Sequence, residues 1–308
     1  MMSKRIHLSQ GKLEKWEESF IPEKDLFFFR EQDEHIVNEL GTNCLLFSRE
    51  EFMWHPQYAA IAYSSSYTYW HLAIDITTVA VMPHRVFPIL TDELKTRILK
   101  IQQEVGRGLI YEARYFDGIL REPAKSLLEP YTFISNNKQY YAMQKEVWTK
   151  LPKSLKSDLL NRIALEYDTP GVFDPYVPTE SVTSSYVNTY PNEHGANCLS
   201  STLFVAASLE AGTTLDWIIK EWVHPVTFMN GLKQLGYREA PLSKDAVFPH
   251  DILIWKDKQD RIIHASFHLD KQYFFNKNGQ TFFNPWKTVH MRELDDEWGM
   301  HTVHVYRK

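Results

Sequence analysis

Apolar positions in the first half of the chain recur at helical spacing. From Asp92 to Glu112, residues Leu94, Ile98, Ile101, Val105 and Leu109 return every three or four positions with charges between them. That spacing predicts an amphipathic helix, and Thr91 ahead of Glu93 reads as its cap. Further helices are predicted over 138–150 and over 153–167, where Leu155, Leu159, Leu160 and Ile163 are apolar. The β-branched and aromatic run Trp70–Val81 fits a strand or a buried helix. Between 168 and 194, Pro170, Gly171, Pro175, Pro178 and Pro191 interrupt the pattern among Ser, Thr and Tyr, as a linker does. After it the rhythm changes. A helix is predicted over 197–211, stopped by Gly212, with shorter ones over 214–222 and 225–235, the last opened by Pro225. Strands then follow at 251–256, 262–269, 272–276, 282–290 and 302–306. Helices first and a meandering sheet after them is an α+β order. Two domains are expected, 1–180 mixed and largely helical, and 181–308 carrying the sheet.

Composition narrows the function classes. The 308 residues are 44% hydrophobic, enough to bury a core and to exclude wholesale disorder. Charge is 34 basic against 39 acidic with no basic run, so nucleic acid has no electrostatic footprint here, and a polybasic membrane surface has none either. No stretch approaches the roughly 20 apolar residues of a membrane span. Two cysteines build no disulfide framework, and the polar start resembles no secretory signal. A reducing, cytoplasmic address is the expectation. The thirteen histidines are scattered, with no HExxH or CxxC, so no metal and no cofactor is expected; phosphate-cradling glycine motifs are missing too.

One constellation carries chemistry. Cys198 opens the 197–211 helix, where free N–H groups and the helix dipole favour a thiolate and could hold an oxyanion. The bland alternative is a buried structural cysteine. On the strand 262–269, His264, Ser266 and His268 share one face by alternation, toward solvent or toward the cysteine helix. Either histidine could serve as general base; position does not choose between them. Asn276, 12 residues past His264 across a short hairpin, could orient the ring. Asn278, just before Gly279, reads as a turn residue. His194 and Tyr190, just upstream of the cysteine, are candidates to line the site and touch substrate, as is His268. Cys44, in the apolar run Asn43–Phe47, reads as core, and Tyr63, Tyr67, Tyr69 and Trp70 as packing aromatics. Ser200 and Ser201 face the helix start or solvent.

The order of these pieces resembles the NlpC-like, papain-fold cysteine peptidases and amidases. The matching residues are Asn197-Cys198-Leu199-Ser200, Asp251-Ile252-Leu253-Ile254-Trp255, His264 through Leu269, and Phe274-Phe275-Asn276, over about 185–308. The departures are Asn197 and Leu199 around the cysteine, where the family has Asp-Cys-Ser, and His250 where the family has Gly before the Asp. The resemblance favours His264 as base and implies a Cys198–His264–Asn276 triad in a papain-like domain. It implies hydrolysis of an amide bond in a small peptide or amide-bearing metabolite through an acyl-enzyme. Transfer of the acyl group to an amine, or an inactive binding module on the same core, are the alternatives. The N-terminal domain would shape the cleft.

Overall fold

The computed structural model describes residues 6–56, 72–168, 173, 176, 178, 181–241 and 247–308. The aromatic run from Tyr63 to Trp70, and much of the 169–180 stretch, lie outside the described residues. The protein is of mixed α+β class. It divides into two compact units, Ser9–Ile163 and Ala164–Lys308, the second including the residues up to Leu8. The division falls at 163/164, upstream of the proline-bearing stretch at which the sequence pattern put it. The reason is local. Asp168 accepts from Ile6 N–H and pairs with Lys287, and Tyr190 Oη donates to Ala164 O, so these residues are tied into the C-terminal unit.

The unit Ser9–Ile163 contains helices α1 (Gln10–Ser19), α2 (Glu34–Leu40), α3 (Arg49–Trp54), α4 (Asp92–Glu104), α5 (Ala124–Leu128) and α6 (Lys145–Lys150). It also holds two three-stranded antiparallel sheets, so it is less helical than expected. One sheet has the order β1 (Lys24–Arg30), β3 (Ile76–Pro83), β2 (Leu45–Ser48). The other has the order β4 (Ile110–Glu112), β6 (Lys138–Ala142), β5 (Thr132–Ser135). Helix α4 stops at Glu104 because Gly106 and Gly108 both take positive φ. The helix expected over 138–150 is instead β6 followed by α6. Asn136 and Asn137, both at positive φ, make the two-residue hairpin that pairs β5 with β6. Strand β1 is an edge strand buried from Asp25 to Phe29, and Gln102 of α4 closes that edge. Its amide accepts from Phe28 N–H at 2.8 Å and donates to Phe28 O at 2.9 Å, as a neighbouring strand would. Cys44 is half-buried rather than core, and the following Leu45 and Leu46 are exposed.

Helix α7 (Lys153–Tyr167) runs across the division. The C-terminal unit continues with α8 (Cys198–Ala211), α9 (Pro225–Gln234), β7 (Arg238–Ala240), β8 (Ile252–Lys256), β9 (Ile262–Asp270), β10 (Tyr273–Lys277), β11 (Trp286–His290), α10 (Met291–Trp298) and β12 (Thr302–Arg307). The six strands form one antiparallel sheet in the order β11-β10-β9-β8-β12-β7. Strand β7 and helix α10 were not foreseen. Helix α8 packs against β9 and β10. Its side of the sheet is marked by Trp286, whose indole donates to Ser201 Oγ at 3.0 Å. The opposite side buries Leu253, Trp255, Phe274 and Val305 against Leu294 of α10.

The entry to β8 is locked by Asp251, which is 1% exposed. Arg307 grips it with two hydrogen bonds of 2.8 and 2.6 Å, and Phe248 N–H donates to it at 2.8 Å. A buried carboxylate survives only with such partners. His250, just before it, sits at φ 75 and donates its N–H to His268 O at 2.9 Å. That backbone suits glycine, since a Cβ crowds the following carbonyl. His250→Gly is therefore expected to be more stable than His250→Ala by about 1 kcal/mol. Urea unfolding of the two variants checks this, and equal midpoints would count against the left-handed geometry.

Candidate functional site

The site begins at the cap of α8. Asn197 accepts from Ser200 N–H at 2.9 Å, and its own N–H goes to Ser200 Oγ at 3.0 Å. This reciprocal box fixes the first helical turn. The Asn197 amide also donates to Val223 O at 2.9 Å, a bond that an aspartate could not make. Ser200 and Ser201 both donate their hydroxyls to Asn197 O, so they face the buried helix start and not solvent. Cys198 is thereby placed as the first residue of α8, and it is 2% exposed.

The backbone N–H groups of Ala265, Leu199 and Cys198 and the Lys277 amine work to lower the thiol pKa. All four favour a thiolate. Burial outweighs them and pushes the thiol up to about 11. The expectation of a lowered thiol pKa is thus corrected: the helix start does favour the anion, but removal from water costs it more.

On β9, Ala265 faces the α8 side of the sheet, and His264, the residue before it, faces the α10 side with Trp255. The main-chain ladder between β9 and β10 ends at Phe275↔Phe267. Beyond it a side-chain bond takes over, His264 Nε2 to Asn276 Oδ1 at 2.7 Å. The thiol comes from the α8 side, while the imidazole is held from the α10 side, stacked on Trp298 at 4.4 Å and 7°. Among the described residues no hydrogen bond joins the sulfur to the ring.

The orientation of His264 is set from further away. Asn276 Nδ2 donates to Asn278 Oδ1 at 2.8 Å, and Asn278 Nδ2 donates to the Glu297 carboxylate at 2.7 and 2.9 Å. A carboxylate only accepts, so each amide is forced to present its oxygen to the next donor. The relay ends with Asn276 Oδ1 accepting, which puts the proton on His264 Nε2 and leaves Nδ1 as the basic nitrogen. Asn278 and Glu297 were not among the expected site residues. The Asn278 partner stands 19 positions away on α10, and α10 itself was unforeseen. Burial holds the His264 pKa down at about 4, against which the Asn276 bond acts weakly.

The remaining candidates bond within the C-terminal unit. His268 gives Nε2 to Lys271 O at 2.9 Å in the β9–β10 turn and stacks on Phe274. Tyr190 is buried with its hydroxyl on Ala164 O. His194 accepts from Phe282 N–H at 3.4 Å and stacks on that ring, with its buried Nε2 unpartnered among the described residues. Burial, and the neighbouring Lys277, hold His194 down at about 3. No set of three His, Cys, Asp or Glu side chains suited to a metal ion occurs among the described residues. No helix among them is long and apolar enough to cross a membrane. Comparison of the chain with protein-family models, curated proteins and solved structures finds no match.

His194 and His264 are neutral when folded and become protonated when the chain unfolds below the ordinary histidine pKa of 6.5. The unfolded state then binds more protons, so their contribution to stability is intact above about pH 6.5 and declines as pH falls toward 4. Denaturant unfolding between pH 7.5 and 4.5 is expected to show this loss, with a shallower slope in His264→Gln. In the same range, nitrogen NMR is expected to show His264 as the neutral Nε2–H tautomer; an imidazolium at pH 6 would contradict the burial argument.

Proposed function

We propose that the protein is a thiol-dependent hydrolase that cleaves an amide bond through Cys198, His264 and Asn276. The observation that carries this reading is a cysteine at the start of a helix that packs on β9 and β10, the strands whose His264 and Asn276 are joined at 2.7 Å. A helix-borne cysteine packed on an antiparallel sheet, with histidine and asparagine on successive strands, supports a papain-like, NlpC-type domain. The substrate in this proposal is a small peptide or amide-bearing metabolite of the cytoplasm.

Each group has a role that its surroundings support. On substrate entry, His264 Nδ1 takes the thiol proton and the sulfur attacks the carbonyl carbon. The N–H groups of Cys198 and Leu199 have no partner within the helix at its first turn and would hold the oxyanion. His264 then protonates the leaving amine, and the acyl group stays on sulfur. Water, activated by the same ring, releases the acid. At rest the thiol and the ring are both neutral, because burial disfavours both charged forms.

A second reading is acyl transfer to an amine. The burial of Cys198 and His264, 2% and 1% exposed, supports it, since a site closed to water protects an acyl-enzyme from hydrolysis.

The test uses the full chain with short acyl-peptide amides and thioesters, with and without added amines. Intact mass spectrometry is expected to show acylation at Cys198, and Cys198→Ala to abolish both acylation and turnover. His264→Ala is expected to lower turnover by about 10²–10⁴-fold, the usual share of a general base. Cys44→Ala should leave it unchanged. Product formed only with an amine would favour transfer, whereas turnover that survives Cys198→Ala would sink both readings.

A further inference from the structure

The loop 279–282, just after β10, is held from two sides. Lys277 Nζ donates to Gly279 O at 3.0 Å and to Thr281 O at 3.1 Å, the carbonyls on either side of Gln280. Gln280 O accepts from Gly195 N–H at 2.8 Å, and Phe282 N–H donates to His194 Nδ1 at 3.4 Å. Gly195 sits at φ 121, a backbone that suits glycine. The segment entering α8 and the loop leaving β10 are therefore bonded to each other at 194–195 and 280–282. Two side chains in this joint carry unspent donors. Gln280 Oε1 accepts from the Trp222 indole at 3.0 Å, so its amide nitrogen is the end left over. That nitrogen is buried without a partner among the described residues. His194 uses Nδ1 as an acceptor, so its proton is on Nε2, which is also buried without a partner among them. Indole and backbone N–H groups only donate, and this fixes both assignments. Each orphan is thus an N–H that lacks an acceptor. Leaving buried donors unmet is costly, and native folds rarely do it.

We propose that His194 and Gln280 bind the carboxylate group of a small ligand. A carboxylate has two oxygens that only accept, one for each N–H. Lys277, beneath the same loop, supplies the charge. It is fully buried, has one donor left after the two carbonyls, and pairs with no carboxylate among the described residues. A buried ammonium needs a counter-charge, and here the ligand brings it. Burial brings the lysine down to about 7, so it is partly charged at neutral pH, and a bound anion favours the charged form. A neutral carbonyl would leave that charge unanswered. Asn192 and Glu193, just before His194, are exposed, so the segment reaches the surface from which a ligand arrives. No covalent bond is made or broken. The site goes beyond the hydrolase reading and does not require Cys198 to be a nucleophile.

The experiment needs no turnover. The full chain, labelled with ¹⁵N-histidine, is titrated by NMR at neutral pH with acetate and with N-acetylalanine. The His194 Nε2 signal, identified by its contacts with the Phe282 ring, is followed. A saturable shift is expected with both acids, and none with N-acetylalaninamide or with sodium chloride at the same ionic strength. Gln280→Met is expected to weaken binding of the acids by about tenfold or more, the usual worth of a hydrogen bond to a charged group. The titration of the unaltered chain decides the matter if that variant does not fold. A His194 signal that neither acid moves would mean that water alone meets these donors, and would overturn the site. An equal response to the amide would overturn the carboxylate, and an equal response to chloride would reduce the site to an adventitious ion only. Saturable binding in a protein that turns nothing over would leave the site standing and count against the hydrolase reading alone; turnover through Cys198 with no binding of either acid would strike the site alone.

Discussion

The C-terminal unit depends on how Asn197 is spent. Its N–H, its side-chain oxygen, its amide and its carbonyl all have partners, in the first turn of α8 and at Val223. Because every group is satisfied, the chain enters α8 in one direction and Cys198 has one place to go. Loss of any of these bonds would strand a buried polar group, at a cost of about 1–3 kcal/mol. That cost keeps the thiol pointed at the end of the β9–β10 ladder. Neither the helix dipole nor the apolar packing of α8 would do so alone, since an apolar helix rotates on its sheet more readily than a capped one.

Removal from water is the second constraint, and it sets the electrostatics. Cys198, His264 and Lys277 are each pushed toward their neutral forms by burial. A site of three neutral titratable groups is quiet, and it becomes charged only in pairs. Attraction between opposite charges is strong where the dielectric is low, so a small change in separation or solvation can tip such a pair. The imidazole is held from the α10 side of the sheet and the amine lies on the α8 side. The two differ in what surrounds them. The ring is held by an amide oxygen and a stacked indole, the amine by two carbonyls.

Much of this was legible in the sequence. Gly212 and the apolar run before it marked α8, alternation marked β9, and short apolar runs between polar turns marked β8 and β10, to within a residue or two. The spacing of 12 between His264 and Asn276 anticipated a bond across one hairpin. Other features had no local signal. The segment 138–150 carries helix-compatible spacing, and only the paired asparagines at 136 and 137 hinted at a hairpin. Cys44 lies in an apolar run, yet β2 is short and leaves Leu45 and Leu46 exposed. Lys277 reads as the polar end of a strand; its burial follows from α8 lying over β10, which is a tertiary fact. The thiol was misjudged for the same reason. A helix start can be read from sequence, whereas desolvation depends on everything packed above it.

The relay from Glu297 shows how the fold handles a carboxylate near such a site. Placed directly beside His264, an anion would stabilise the imidazolium and raise the ring pKa. Placed two amides away, it still dictates which oxygen each asparagine presents, and so which nitrogen of the ring holds the proton. The orientation is transmitted while most of the charge effect is screened by distance and by the exposure of the Glu297 end. Burial keeps His264 neutral, and the relay leaves Nδ1 unprotonated. An aspartate at position 276 would give a stronger bond to the ring but would lose the Nδ2 donor to Asn278, and with it the link to α10. Asparagine at 276 therefore joins two requirements, a fixed tautomer and an uncharged resting site, that a carboxylate in the same place would set against each other.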